Sequence, residues 1–261
     1  MAAVNQCLIL AAGNGSRIAS VAGGVPKPLV PLCGVPLLEH VMTSSHEAGI
    51  ERFVIVAGYR ADLIRSWLSG QTRRWLRTQS MDNVSIRLIE NVEYHKANGV
   101  SALAAKTELN QPFLLLMSDH IFEPKTAKAM LRQPIADDEV ILAVDSKIDQ
   151  IFDLDDATKV RCEGDEIVEI GKDLSSYNAL DTGMFLCSPE LFTRLESAQK
   201  NGDCSLSDGM RKLAHDGKLR AFDIGDGHWQ DVDSPQALAH AEEIFDRDFC
   251  GNPMAESLVD A

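Results

Sequence analysis

The sequence has no cysteines at metal-ligand spacing. Six are present (Cys7, Cys33, Cys162, Cys187, Cys204 and Cys250), and no two form a C-x-x-C pair. The pattern excludes a zinc ribbon or a dense disulfide frame and predicts reduced thiols, mostly packing residues. Long apolar runs are missing too, and none approaches the roughly 20 residues of a membrane-spanning helix. The opening residues Met1-Ala2-Ala3-Val4-Asn5-Gln6 carry neither a charged segment nor a cleavage-site pattern. Positive charge is scarce: 25 Lys and Arg face 39 acidic residues, for a formal net charge of -14. Duplex nucleic acid or an anionic membrane is therefore excluded as the main partner. Nucleotides are not, because a local basic cluster and a metal ion suffice for them. What is present is an ordinary globular composition, 45% hydrophobic and 25% charged over 261 residues. A cytoplasmic enzyme or binding protein is the expectation.

Short apolar runs alternate with helix-like segments. A run at 4–10 precedes a helix near 36–47, and 52–56 precedes one near 61–68. Runs at 84–90 and 113–117 are followed by helices at 99–106 and 124–131, and a further run spans 140–144. This order predicts βα units and a mostly parallel sheet with ligands at the strand C-terminal edge. After residue 150 the pattern changes to a hairpin (157–162 and 166–170 around Gly164-Asp165), a strand at 180–187 and a helix at 189–199. A late strand at 219–223 and a helix at 235–247 close the pattern. The reading is one domain over 1–250, with a nucleotide-binding half (1–150) and an acceptor-binding half (151–250). Residues 251–261 have little to bury and are expected to fray.

The most informative stretch is Leu8-Ile9-Leu10-Ala11-Ala12-Gly13-Asn14-Gly15-Ser16-Arg17, with Val25-Pro26-Lys27-Pro28-Leu29 after it. A buried strand ends in small residues whose backbone N–H groups can approach a polyphosphate. A lysine between two prolines cannot sit inside a helix and suits a fixed cationic arm. A dinucleotide fingerprint would need a third glycine and an acid after the second strand, where Val56-Ala57-Gly58-Tyr59 offers none. A Walker loop would need Gly-Lys-Ser/Thr, also missing.

Acidic residues form the second signal. Asp119 follows the apolar run Phe113–Met117 in Ser118-Asp119-His120, where its carboxylate points at the ligand crevice and suits Mg²⁺. Substrate contact and packing are even alternatives for His120. In Trp229-Gln230-Asp231-Val232-Asp233-Ser234-Pro235 the two aspartates project to one side of an extended segment. Both can reach the metal with Asp119, or Asp233 or Ser234 can cap the following helix. Asn98 and Ser101 can hydrogen-bond a pyrimidine edge and Gly99 permits close approach of a base, but on chemistry alone an Asn/Ser helix cap with a turn glycine is the stronger reading. Lys159, Lys172, Asp181, Thr182 and Gly183 suit an acceptor phosphate and polyol hydroxyls.

Taken together, these motifs resemble the sugar-phosphate nucleotidyltransferase superfamily, from Leu10 to the helix at Pro235. Asn98-Gly-Val-Ser101, Met117-Ser-Asp-His120, Asp156-Ala-Thr-Lys-Val160, Ile170-Gly-Lys172, Ala179-Leu-Asp-Thr-Gly183 and Asp231-Val-Asp233 are similar to the CTP:inositol-1-phosphate cytidylyltransferases. The resemblance implies a Rossmann-like α/β fold of the glycosyltransferase-A type, with a mostly parallel mixed sheet flanked by helices. It implies that Leu10, Ala11, Ala12 and Gly13 hold the nucleotide, and that Gly15, Ser16, Arg17 and Lys27 hold the triphosphate. Asn98, Gly99 and Ser101 would lie at cytosine and ribose. Asp119 with Asp231 or Asp233 would bind Mg²⁺, and Lys172, helped by Lys159, would meet the acceptor phosphate. Such enzymes are often fused to a membrane-embedded CDP-alcohol phosphotransferase, so a separate enzyme of that kind is the expected downstream partner, and a homodimer is compatible with the reading. The implied reaction joins CTP to inositol 1-phosphate, giving CDP-inositol and pyrophosphate. Its alternatives are the same chemistry on another sugar 1-phosphate, phosphocholine or an aminophosphonate, or a non-catalytic nucleotide-sugar sensor. A glycosyltransferase would place D-x-D where this chain has Ser118-Asp119-His120.

Overall fold

Alternation along the first strand sets up the two layers around the sheet. In β1 (Gln6–Ala11), Cys7, Ile9 and Ala11 face one core, while Leu8 and Leu10 face the other. A strand buried on both sides reads as a continuous apolar run, which is why 4–10 is so plain in the sequence. The computed structural model describes residues 4–78 and 84–245. The expected end of the last helix at 247 and the tail 251–261 lie outside the described residues.

After β1, a short hairpin of β2 (Pro31–Leu32) and β3 (Val35–Pro36) leads into α1 (Leu37–Ala48), which ends at Gly49 with φ 117°. Then come β4 (Arg52–Ala57), α2 (Ala61–Thr78), β5 (Ser85–Glu90), α3 (Asn98–Ala104) and β6 (Phe113–Met117). β7 (His120–Phe122), α4 (Pro124–Met130), β8 (Val140–Asp145), β9 (Lys159–Glu163), β10 (Glu166–Gly171) and β11 (Ala179–Cys187) follow. The chain continues through α5 (Glu190–Ala198), α6 (Leu206–His215), β12 (Leu219–Asp223), β13 (Trp229–Asp231) and α7 (Pro235–Ile244). Residues of α1, α2, α4 and α7 pack into the core on one face of the sheet. Those of α3, α5 and α6 pack into the other, with Phe113 stacked on Phe192 at 5.4 Å.

The main sheet has nine strands in the order β5-β4-β1-β6-β11-β8-β12-β10-β9. β4, β5, β1 and β6 are mutually parallel, and β12 is parallel to β8. β11 runs antiparallel to both β6 and β8, so those two share a direction. The chain order suggests β6 and β8 as neighbours. Instead the late strand β11 enters between them, so the two halves of the chain share one sheet. The C-terminal ends of β1, β6 and β8 and the N-terminal end of β11 consequently meet at one edge.

Three elements were not anticipated. α6 is capped by Ser205, whose side chain accepts from Asp208 N while the Asp208 carboxylate accepts from Ser205 N. Its buried Leu206, Met210, Leu213 and Ala214 have helical spacing. The β2–β3 hairpin is too short to give a periodic pattern. The third is the ribbon of β7 and β13, which pairs Trp229 with Phe122 and Asp231 with His120. Cys7, Cys162, Cys187 and Cys204 are free thiols. Cys33 is disulfide-bonded, which corrects the expectation of reduced thiols throughout.

Candidate active site

The β7–β13 ribbon brings two acidic segments from opposite ends of the sequence together. Asp231 lies directly across from His120, and Val232 N donates to Asp119 O at 3.0 Å. Val232 is fully buried, which leaves Asp231 and Asp233 on the other side of the strand, facing the cleft. Ser234 accepts from Ala237 N at 3.1 Å and caps α7, so the cap falls to the serine and Asp233 is left for the cleft.

Lys27 is the centre of this cluster. It begins a 3-10 turn over Lys27–Leu29 and is only 7% exposed. Its Nζ pairs with the carboxylates of Asp119 and Asp233 and stands 3.7 Å from Asp231 Oδ1. Gly15 makes this position possible. With φ 59°, it would place a Cβ 2.6 Å from Lys27 Cβ, so only glycine fits. Arg17 reaches across to Asp233 and, at 2.5 Å, to Asp156. Asp156 also binds Lys172 Nζ at 2.7 Å. One chain of ion pairs thus joins Lys27, Asp233, Arg17, Asp156 and Lys172.

His120 is held from several sides. Its ring stacks on Trp229 with centroids 5.9 Å apart, and its Nδ1 lies 3.0 Å from Asp119 Oδ1. A Cβ on Gly183 would meet its Cδ2 at 2.4 Å. Burial alone would lower the pKa of His120, but the Asp231 and Asp119 carboxylates overcome this and raise it to about 9. Burial likewise opposes ionisation of Asp119, yet Lys27 and His120 hold its carboxyl well below the usual range. Asp231 goes the other way, pushed up by burial and by the nearby Asp119 charge despite His120 and Lys27.

The donor set fits a hard divalent cation. Carboxylate oxygens of Asp119 and Asp231 lie within 4.8 Å of each other beside the His120 ring, and those of Asp156, Asp231 and Asp233 lie within the same distance of one another. Asp231 Oδ1 is buried and accepts no hydrogen bond. A buried carboxylate oxygen with no hydrogen-bond partner, set among other acids, is a donor suited to a divalent cation.

A cleft of about 580 Å³ opens over this cluster. Leu10, Ala12, Gly13, Asn98 and Ser101 line it on one side, and Lys172, Asp181 and Gly183 on the other. Ala11 is instead buried in the core, and Gly15 and Ser16 shape the turn behind Arg17. Gly99 does not offer its open space to the cleft. A Cβ there would stand 2.6 Å from Cys204 O, so this glycine admits the residues leading into α6. Asn98 accepts from Leu206 N at 2.8 Å, and Ser101 accepts from Asn91 at 3.0 Å.

Two expected acceptor-side residues turn away from the cleft. Thr182 is buried and its hydroxyl donates to Ala143 O at 2.8 Å. Lys159 is buried and donates to Asp155 O at 3.0 Å. Both sit in strands, where alternate side chains leave the ligand face. Asp181 accepts from Gly183 N at 2.7 Å, across the irregularity in β11, and burial raises its carboxyl to about 6 against that hydrogen bond. Sequence reasoning gave no separate role to Asp145, Asp156 or Trp229. An acid closing an apolar strand, as in Val140–Asp145, was the available signal.

A family model for the MobA-like NTP transferase domain matches residues 7–217. The chain belongs to that family. The matched region ends before Asp231 and Asp233, but longer alignments include them. A curated relative from Rubrobacter xylanophilus, "Bifunctional IPC transferase and DIPP synthase", is 35% identical over 238 residues, 90% of this chain and 51% of that protein. A protein of the same name from Aquifex aeolicus is 29% identical over 242 residues, 93% of this chain and 52% of its own length. The chain spans about half the length of these relatives. Among solved structures, the inositol-1-phosphate CTP transferase from T. maritima superposes with TM-score 0.80 and 28% identity, covering 95% of this chain and 96% of that one. A UDP-glucose pyrophosphorylase complexed with UDP-glucose shares the fold at TM-score 0.77 and 19% identity, covering 93% of this chain and 98% of that one. The α/β nucleotidyltransferase fold is thereby shown. No helix among the described residues is long and apolar enough to cross a membrane.

Proposed function

We propose that this chain is a Mg²⁺-dependent cytidylyltransferase that joins CTP to inositol 1-phosphate, giving CDP-inositol and pyrophosphate. The observation that carries the reading is the convergence of Lys27 and Arg17 with Asp119, Asp231 and Asp233 at one sheet edge, beneath a cleft open to both halves of the chain. The choice of cytosine and inositol leans on the similarity to the T. maritima transferase.

In this reading the acceptor's phosphate oxygen attacks the α-phosphorus of CTP in line. A new P–O bond forms, the bond to the β-phosphate bridging oxygen breaks, and its electron pair leaves with pyrophosphate. The acceptor phosphate is ionised near neutral pH, so no general base is required. The protein positions two anions and neutralises charge. Asp119, Asp231 and Asp233 would hold the metal, which when bound polarises the α-phosphate and offsets its charge. Arg17 and Lys27 lie on the triphosphate side, where charge grows as pyrophosphate departs. Lys172, on the other side, suits the acceptor phosphate.

The test is pyrophosphate release with Mg²⁺, offering each of the four common nucleoside triphosphates with inositol 1-phosphate. Release with CTP alone, dependent on inositol 1-phosphate, is the expected result. Release only with another acceptor, such as a hexose 1-phosphate or phosphocholine, would keep the chemistry and overturn the acceptor. Silence across the panel with nucleotide still bound would overturn the enzymatic reading in favour of a sensor.

A further inference from the structure

Every cation on the phosphate side of the cleft is already engaged by a carboxylate, and the carboxylates suited to a metal are the ones engaged. Lys27 Nζ pairs with Asp119 and Asp233 and is 3.7 Å from Asp231, so one ammonium contacts all three candidate ligands. Its low exposure of 7% leaves few other positions without moving the side chain. Arg17 is held by Asp233 and Asp156, and Lys172 by Asp156. A polyphosphate entering this cleft finds its cations occupied, and a divalent cation finds Asp119 and Asp233 paired with Lys27, with Asp231 Oδ1 the ligand atom that accepts no hydrogen bond.

We infer that Lys27 is a tethered counter-ion that fills the divalent-cation position in the ligand-free protein and changes partners when cation and polyphosphate arrive. This inference rests on the metal assignment proposed above and adds to it a means of regulation. A cation alone must displace Lys27 and leave a buried ammonium without an anion. A polyphosphate alone must draw Lys27 away and leave two or three carboxylates facing one another. Both half-reactions strand buried charge. Together they complete an exchange in which Lys27 passes from carboxylate to phosphate and the cation takes its place. The two ligands are thereby coupled in free energy, each raising the affinity for the other. The arrangement also guards the acidic cluster, since it is neutralised in the absence of substrate and has no need of an adventitious ion. Gly15 is part of the device, because any side chain there would push Lys27 from its seat.

Mn²⁺ binding, followed by electron paramagnetic resonance, tests the exchange without any turnover. The purified full chain and its Lys27→Met variant are titrated with Mn²⁺ in the absence of nucleotide. The exchange predicts that K27M binds Mn²⁺ at least ten-fold more tightly than the natural chain. Equal or weaker binding in K27M overturns it. Should K27M fail to fold, amine-reactive labelling of the natural chain, read at Lys27 by peptide mass spectrometry, carries the test. Saturating Mn²⁺ is expected to raise the labelling rate at Lys27 several-fold, and an unchanged rate overturns the exchange. A third arm titrates the natural chain with Mn²⁺ and a non-hydrolysable CTP analogue. Bound Mn²⁺ there, with no difference at Lys27 elsewhere, sinks the exchange and leaves the metal assignment standing. No Mn²⁺ bound in any arm sinks the metal assignment, and the exchange with it.

Discussion

Two strands of this sheet end in the same way and arrive at different chemistry. β6 is an apolar run followed by Ser118 and Asp119, and β8 is an apolar run closed by Asp145. Both aspartates emerge at the same edge and both line the cleft. Asp145 is fully partnered. It accepts from Trp229 Nε1 at 2.9 Å and Lys147 N at 2.8 Å, and pairs with Lys147 Nζ at 2.9 Å. Lys147 is itself fixed by the carbonyls of Gly225 and Gly227. Asp119 meets Lys27 and His120, groups that also face Asp231. A carboxylate whose partners are all local and dedicated is a structural tie. One whose partners are shared with other carboxylates sits in a site that can exchange its counter-ions. The strand end sets where each acid lies, and its neighbours decide what it does.

Replacing each acid by its amide breaks that comparison most sharply. Asp119→Asn is expected to lower kcat by two orders of magnitude or more with the melting temperature little changed, since it removes charge where the transition state needs it. Asp145→Asn should do the reverse. It removes one charge from a buried, fully bonded tie and is expected to destabilise the fold by about 1–3 kcal/mol, with turnover within a few-fold. Thermal melts and initial rates on both variants decide it. Loss of turnover in D145N without loss of stability would place Asp145 among the substrate-facing groups.

The next contrast is between two glycines with similar backbones. Gly183 has φ 76° and Gly164 has φ 65°, but a Cβ at Gly183 strikes the His120 ring while one at Gly164 meets nothing within 4 Å. Gly164→Ala carries only left-handed backbone strain, about 1 kcal/mol. Gly183→Ala adds displacement of His120, so a cost nearer 2–4 kcal/mol is expected, with a clear fall in turnover. Chemical denaturation separates them, and equal costs would mean that His120 yields easily.

Trp229 links the two aspartates, bonding Asp145 and stacking on His120 beside Asp119. Trp229→Phe keeps a ring for the stack and deletes the donor. About 1 kcal/mol of stability should be lost, with turnover less affected than in Gly183→Ala. A larger kinetic than thermodynamic effect would show that the indole N–H sets the position of His120 through Asp145.

The parts of this architecture that were legible were local ones. Apolar runs marked the strands β1, β4, β6 and β8, and Pro26-Lys27-Pro28 marked a cation outside any α-helix, which the fold places at the start of a single 3-10 turn. Asp119 stood out because it follows an apolar run, and Asp231 and Asp233 because alternate residues of an extended segment share one side. What the sequence withheld were pairings across long separations. Nothing near Ala179–Cys187 states that this strand inserts between β6 and β8. Nothing near Trp229 states that it pairs with Phe122. Thr182 and Lys159 looked like acceptor contacts because their types suit a polyol phosphate, yet strand alternation and burial assign them to the frame. Gly99 was misleading for a related reason, since close approach by α6 and close approach by a base both require a missing Cβ.

Asp181 provides the smallest expected effect and a test of the site's edge that needs no substrate. Burial raises its carboxyl to about 6, against the ordinary value of about 3.9 in an unfolded chain. Between those values the folded protein keeps a proton that the unfolded chain releases. The contribution of Asp181 to stability is therefore complete below about pH 4 and is lost as the pH rises through 6. Asp181→Asn keeps an oxygen to accept from Gly183 N and removes the titration. Melting temperatures from pH 4 to pH 7 in the absence of divalent cations should show the natural chain losing stability relative to D181N across that window. Parallel curves would mean that Asp181 is ionised throughout, with its charge balanced inside the cleft by cations such as His120. In that case the acceptor side would be more polar than its burial suggests, and Asp181 would belong with Asp119 as a shared carboxylate and not with Asp145 as a dedicated one.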